Sequence, residues 1–310
     1  MNLKAKTIKA VLVKKHADFV ASITDTTVQS LVKQNSIITG GCIASMLLKE
    51  KVNDFDYYFT NRETCLAVAN YYVKKFLEAN PTFGDIAVNP PKFNILTGDL
   101  EDDVNQDRVR IVVKSLGLAV DSSEEKRTQS EDLNIDDLDL VSEQQLAVEN
   151  LEYRPLYITT NAITLSNKVQ LVTRFYGDAT DIHSNYDFMH ATCYWTSSDG
   201  ELVMPPKALE CLLSRELLYR GSKYPLASIM RAKKFINRGW TINAGQYLKM
   251  ALQLNELDLM DLDVFEEQLT GVDSAFFNQV ITAIRDKQLK EPDFKIDSMY
   301  LMQVINRIFD

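Results

Sequence analysis

Two pairs of residues within SIITGGCIASMLLKEKVNDFDYYF, residues 36–59, are of types that do chemistry. Gly40 and Gly41 follow a short apolar run, and Asp54 and Asp56 flank a single phenylalanine. On a strand, residues i and i+2 project from one face about 6 to 7 Å apart at the backbone, so both carboxylates reach the same small volume. Held that close in water they repel. A hard divalent cation, magnesium or manganese, removes that cost and leaves open positions for phosphate oxygens. Paired glycines ahead of a helix bring backbone N–H groups, unobstructed by a Cβ, to the positive end of the helix dipole, which is a seat for phosphates. Ser45, early in that helix, adds a hydroxyl toward a terminal phosphate. Metal-binding carboxylates on one element and a phosphate seat on its neighbour are the parts of in-line phosphoryl or nucleotidyl transfer.

These residues need a strand–helix–strand frame. Ser36 to Thr39 reads as a short buried strand, and Cys42 to Lys49 as a helix beginning just after the glycines. NDFDYYFT alternates, with Asp54, Asp56 and Tyr58 on one face and Phe55, Tyr57 and Phe59 on the other, as a strand with one buried face does. Thr60 and Glu63 have capping-box spacing ahead of CLAVANYYVKKFLEAN, which repeats apolar residues with helical period up to Asn80 and Pro81. DRVRIVVKS at 107–115, LYITT at 156–160 and KVQLVTRF at 168–175 are β-branched runs that extend a mixed sheet. The N-terminal MNLKAKTIKAVLVKKHADFV reads as an amphipathic helix with Ile8, Val11, Leu12 and Phe19 facing inward. After Pro205 and Pro206 the composition turns to Leu, Met, Lys and Glu at helical spacing, so a domain boundary falls there. The expected organisation is residues 1–205 with an acidic insertion at about 117–152, then a helical domain over 206–310.

At 310 residues, 45% hydrophobic and 25% charged, the chain has an ordinary soluble composition, and no run approaches the length of a membrane span. Cys42, Cys65, Cys193 and Cys211 are scattered and form no C-x-x-C pair, which excludes a disulfide framework or zinc motif and fits a reducing cytoplasm. The net charge of −9 is concentrated between Asp121 and Asn150, where ten acidic residues face only Lys126 and Arg127. Residues 207–250 instead hold nine Lys or Arg against Glu210 and Glu216, a candidate phosphate-facing surface if those side chains do more than solvate helices. In it, Arg231 and Lys234 share a helix face, and Lys223 lies in the turn YRGSKYP. Tyr194, Trp195 and Trp240 offer either nucleobase stacking or, the stronger reading, core packing. His16, His183 and His190 have no metal-ligand spacing and read as structural or surface residues, with His190 three positions after Asp187. There is no Ser-His-Asp set, nucleophile elbow or P-loop.

TGGCIASMLLKEKVNDFDYYFT resembles the first signature of the polymerase-beta-like nucleotidyltransferase superfamily, in particular the head domain of poly(A) polymerases and CCA-adding tRNA nucleotidyltransferases. VTRFYGDATDIHSNYDFMHATCYW, residues 172–195, is similar to their second motif, and SIMRAKKFINRGW, residues 228–240, to their basic neck helix. The overall look is also that of nucleotidyltransferase-like proteins of large bacteriophages. The resemblance implies an α+β nucleotidyltransferase fold with an all-helical C-terminal domain, and metal-dependent transfer of a nucleoside monophosphate from an NTP to a hydroxyl, an RNA end with tRNA first. It implies Asp54 and Asp56 as metal ligands, Gly40, Gly41 and Ser45 on phosphates, and Asp187 as the second-motif aspartate, while the residues themselves offer Lys223, Arg231 and Lys234 to a triphosphate or an RNA backbone. The chain departs from the family at three places. Ala44 and Ser45 replace an Arg-Asp pair, Gln170 stands in the strand that usually carries a third acid, and NYDF lacks the arginines before Asp187. With Gln170 neutral, either Asp187 supplies the missing catalytic carboxylate, or the site works with two, or catalysis is lost and the chain is a binding or scaffold protein on the same fold; a transferase acting on protein hydroxyls or small molecules is a further alternative.

Overall fold

A computed structural model describes residues 2–80, 86–88, 92–93, 100–101, 109, 111–112, 118–119, 153–159, 161–269, 275–291, 294 and 296–309. The expected acidic insertion lies outside the described residues apart from 118–119. In chain order the described elements begin with α1 (Asn2–Ala21), α2 (Thr26–Gln34), β1 (Ser36–Thr39), α3 (Gly41–Leu48), β2 (Phe55–Phe59) and α4 (Arg62–Ala79). Five two-residue strands follow: β3 (Ala87–Val88), β4 (Lys92–Phe93), β5 (Leu100–Glu101), β6 (Ile111–Val112) and β7 (Leu118–Ala119). Then come β8 (Pro155–Ile158), β9 (Ala162–Leu165), β10 (Val169–Tyr176), α5 (Ala179–His183), β11 (Tyr194–Thr196), β12 (Leu202–Val203) and α6 (Pro206–Ser214). The chain ends in α7 (Pro225–Asn237), α8 (Ala244–Leu254), α9 (Leu262–Gln268), α10 (Ala275–Lys290) and α11 (Ser298–Phe309). The protein is thus α+β, a mixed sheet with helices followed by an all-helical region. The described residues form two compact units, one of residues up to 119, 153–184 and 190–212, the other of 185–189 and 213–309.

The first unit is built on one sheet ordered β12-β11-β1-β2-β10-β9-β8-β7. β10 runs parallel to β2, and the other pairings are antiparallel. Residues directly opposite on neighbouring strands share a sheet face, so register sorts the side chains into lateral rows. One row is Trp195, Ile38, Tyr57, Leu171, Ile163 and Ile158. All six are buried, with Trp195 the most exposed at 2%. Helices cover this face. Phe19 of α1 sets its ring edge against Tyr57 at 4.9 Å and Tyr153 at 5.3 Å, and stacks on Tyr72 of α4 at 6.3 Å.

The next row, on the opposite face, is polar: Tyr194, Thr39, Asp56, Gln170, Thr164 and Tyr157. The alternation read from NDFDYYFT therefore holds for Asp56 against Phe55 and Tyr57. It does not make β2 one-sided, because Tyr58 is buried as well, directly opposite the buried Ile37 of β1.

Three local expectations are corrected. On α1 the inward stripe is Ile8, Leu12, His16 and Phe19, while Val11 is 42% exposed. At 100° per residue Val11 falls about 90° away from that stripe, and His16 takes the place expected of it. The cap of α4 is Asn61, whose side chain accepts from the Thr64 amide at 2.8 Å, and not Thr60. Ile111–Val112 does not extend the main sheet but pairs with Ala87–Val88 in a separate ladder.

The second unit has its own core, in which Phe265 of α9, Val280 and Ile284 of α10, and Leu301 and Val304 of α11 are packed together. Phe19→Ala is expected to cost about 3 to 5 kcal/mol, as for a fully buried aromatic ring. Val11→Ala, on the exposed flank of the same helix, should stay within about 0.5 kcal/mol of wild type. Urea unfolding midpoints check both, and equal losses would contradict the helix orientation described.

Candidate functional site

Gly40 closes β1 with φ +85° and ψ −147°, a conformation open only to glycine, and serves as the N-cap of α3. A glycine cap has no side chain to bond the first-turn amides of the helix, and none is bonded by one. Gly41 differs. It is exposed, and a Cβ built on it would meet nothing within 4 Å. Neither backbone nor packing asks for a glycine at 41, and the space in front of it lies open at a helix N-terminus. Ser45 lies one turn further along α3 and is half-buried.

Asp56 sits in the middle of the polar row, directly opposite Thr39 of β1 and Gln170 of β10. Asp54 precedes β2 by one residue, and its loop is gripped from the β9–β10 hairpin. Phe55 N donates to Lys168 O at 2.7 Å, and Lys168 Nζ donates to Val52 O at 3.1 Å. That hairpin turns through residues 166–168, between the paired Leu165 and Val169, with Asn167 and Lys168 both left-handed at φ 61° and 59°. Burial first, and the neighbouring Asp54 carboxylate second, hold the Asp56 carboxyl well above the usual carboxylate range. Cys42, in the first turn of α3, feels the same pair: burial, then Asp56, then Asp54 push its thiol up. The acid pair and the glycine turn therefore occupy one neighbourhood, as their spacing in sequence implies.

Among the described residues, no group of three or more His, Cys, Asp or Glu side chains is placed to hold a metal. The donors present are the Asp54 and Asp56 carboxylates and, beside Asp56, the amide of Gln170. Two close carboxylates and a neutral oxygen suit one hard divalent cation whose remaining positions are filled from a ligand. Such an ion would also offset the burial and, after it, the mutual repulsion that raise Asp56.

Asp187, Lys223, Arg231 and Lys234 all belong to the second unit. Arg231 Nε donates to Asp187 Oδ2 at 2.6 Å, so the second-motif aspartate and one expected cation are engaged with each other. Lys234 is exposed on α7, with Lys233 and Arg238 also exposed. Lys223 is exposed on the 219–224 turn, which is tied down by glutamines that sequence reading did not single out. Gln246 and Gln253 of α8 accept from the Tyr219 and Ser222 amides at 3.0 and 3.2 Å, and Gln268 of α9 donates to Lys223 O at 2.8 Å. Trp195 and Trp240 are buried, in keeping with core packing, as are His16, His183 and His190. Asn167 and Lys168 were detectable in principle, since SNK between two β-branched runs is a hairpin signal.

The chain is an α+β protein with a strand, a glycine turn at a helix start, and an acid pair in which Asp54 immediately precedes the next strand and Asp56 lies on it. Residues 10–215 match Gad2, the Gabija anti-defense 2 family protein, and the chain belongs to that family. No curated protein matches the chain significantly. Among solved structures it is similar to the Thermotoga maritima CCA-adding enzyme complexed with tRNA, at 11% identity and TM-score 0.36, covering 95% of this chain and 66% of that one. A tRNA-processing enzyme with CTP is similar at 11% identity and TM-score 0.35, covering 92% of this chain and 70% of that one.

Gly41→Ala should fold with wild-type stability yet weaken nucleotide binding, whereas Gly40→Ala should lose about 1 to 3 kcal/mol because its backbone conformation is closed to alanine. Denaturation paired with nucleotide titration checks this contrast. For the carboxylates the sign follows from the raised Asp56 value. The folded state binds that proton more tightly than the unfolded chain, so stability falls as pH rises from the ordinary carboxylate range through the raised one. At neutral pH without divalent ions, Asp56→Asn is therefore expected to stabilise the fold by about 1 kcal/mol. Magnesium or manganese at 100 times its Kd should stabilise wild type by about 2.7 kcal/mol and leave Asp54→Asn/Asp56→Asn unmoved, as read from thermal melts.

Proposed function

We propose that this protein transfers a nucleoside monophosphate from an NTP to a hydroxyl acceptor, and that this transfer is how it acts against the defense named in its family. One observation carries the reading: Asp56, two residues after Asp54, lies directly across from the last residue of β1, which leads into a helix start with no side-chain cap at an open glycine. Two carboxylates that repel beside a helix start with no side-chain cap suit a cation and a polyphosphate together. Asp54 and Asp56 would hold the magnesium or manganese ion, which when bound neutralises triphosphate charge and lowers the pKa of a hydroxyl. Gly40 and Gly41 seat the phosphates, with Ser45 one helical turn beyond. Gln170, beside Asp56, lacks a charge and is suited to orient a hydroxyl by hydrogen bonding.

Lys223, Lys233, Lys234 and Arg238 in the second unit support a polyanionic acceptor, and the motif resemblance makes an RNA end, with tRNA first, the acceptor class to examine. A second reading has one specific observation behind it. Gln170 stands where a further acid would complete the donor set, and a protein with only two carboxylates can act by binding alone.

The test is incubation with each labelled NTP, magnesium or manganese, and total RNA or total protein, alongside an anti-defense assay in cells carrying Gabija. Wild type should pass label to RNA, and Asp54→Asn/Asp56→Asn should lose more than about a hundredfold of that transfer together with anti-defense activity. Label on protein would replace the RNA acceptor with a protein one. A double variant that still blunts Gabija, with no transfer by wild type, would put the binding reading in its place.

A further inference from the structure

We propose that His183 is a positioning residue that sets the Gly40–Gly41 turn and Asp56 through the hydroxyl of Thr39; the inference rests on the reading of that turn as a phosphate seat. Thr39 is fully buried, is peptide-bonded to Gly40 and stands directly opposite Asp56. Its Oγ1 meets three groups: His183 Nε2 at 2.8 Å, the Cys193 carbonyl at 2.9 Å and the Ala191 carbonyl at 3.4 Å. A hydroxyl has one proton to give, and carbonyls only accept. With that proton on Cys193 O, the closer carbonyl, Oγ1 must accept, and His183 Nε2–H is the donor. Were the hydroxyl to donate to His183 instead, two oxygens 2.9 Å apart would face each other in a buried site with no proton between them.

The same segment that accepts from Thr39 also holds the next amide, since Gly40 N donates to Ala191 O at 3.2 Å. The left-handed turn at Gly40 is thus fixed by one backbone bond and by one side-chain bond whose direction His183 sets. His183 is itself held firmly. It ends α5, whose start is closed by reciprocal bonds between Asp178 and Asp181, and its ring lies edge-on to Tyr194 at 5.4 Å. Tyr194 is Thr39's neighbour on the other side of β1, so the lateral row that contains Asp56 is braced at its buried end. A histidine that only filled space would leave the hydroxyl's orientation, and with it the turn, unaffected by loss of its N–H.

The full-length protein carrying His183→Leu, His183→Gln, Thr39→Val or Thr39→Val/His183→Leu would be compared with wild type by three readouts. These are the urea midpoint, deuterium uptake at Gly40 in ligand-free protein, and magnesium-dependent binding of mant-ATP with CTP, GTP and UTP as competitors. His183→Leu should raise uptake at Gly40 beyond any change in global stability and weaken nucleotide binding about tenfold, the size of one buried hydrogen bond. His183→Gln, which restores a donor at the Nε2 position, should recover most of both. The double variant should be no worse than either single one, because both remove the same bond. Unchanged uptake at Gly40 in His183→Leu, or additive losses in the double variant, would overturn the proposal. If His183→Leu does not fold, Thr39→Val against Thr39→Ser tests the same bond, with Ser expected to behave as wild type and equal behaviour of the two refuting it. Faster uptake at Gly40 in a protein whose wild type binds none of the four nucleotides would uphold the positioning role and sink the phosphate-seat reading instead.

Discussion

Two like charges, Asp54 and Asp56, are held a residue apart beside the first turn of α3, and much of the first unit is arranged around that repulsion. Burial first and that repulsion second raise the Asp56 carboxyl well above the usual carboxylate range, and burial first and the same two carboxylates next push the Cys42 thiol up. Nothing in folding rewards such a pair. It is retained against its cost by a central strand with a neighbour on each edge and by a hairpin that grips the backbone before and after Asp54. On the function proposed above, that cost is what a bound cation would remove.

The sheet separates support from chemistry by register. One face is a continuous apolar row under α1 and α4, where the aromatic rings of Phe19, Tyr57 and Tyr72 meet edge to face or stacked. The other face carries hydroxyls, an amide and a carboxylate in one lateral line from Tyr194 to Tyr157. A one-residue slip between β1 and β2 would send Asp56 into the core, so the burial of Ile38, Tyr57 and Leu171 fixes the position of the carboxylate as firmly as any contact it makes.

In the second unit charge is partly spent internally. Asp187 and Arg231 neutralise each other, and the exposed cations include Lys233 and Lys234 of α7 and Lys223 on a turn whose backbone is tied to three glutamine side chains. Gln246 and Gln268 are almost wholly buried, which makes the turn stiff while leaving Lys223 in solvent. A stiff cationic turn loses little entropy on meeting a polyanion.

What the residues alone determined is local. The strand–turn–helix around Gly40 and Gly41, the alternation of β2, the length of α4 and the helical C-terminal third all follow from neighbours within a few positions, where period, caps and glycine freedom act. Tertiary structure decided the rest, because strand partners and helix faces are chosen by burial across long separations that no local pattern encodes. It placed Gln170 beside Asp56, turned His16 inward in place of Val11, set Ile111–Val112 in a ladder apart from the main sheet, and brought His183 onto Thr39. The chemistry of each residue was written in its type; which residues share a volume was settled only by packing.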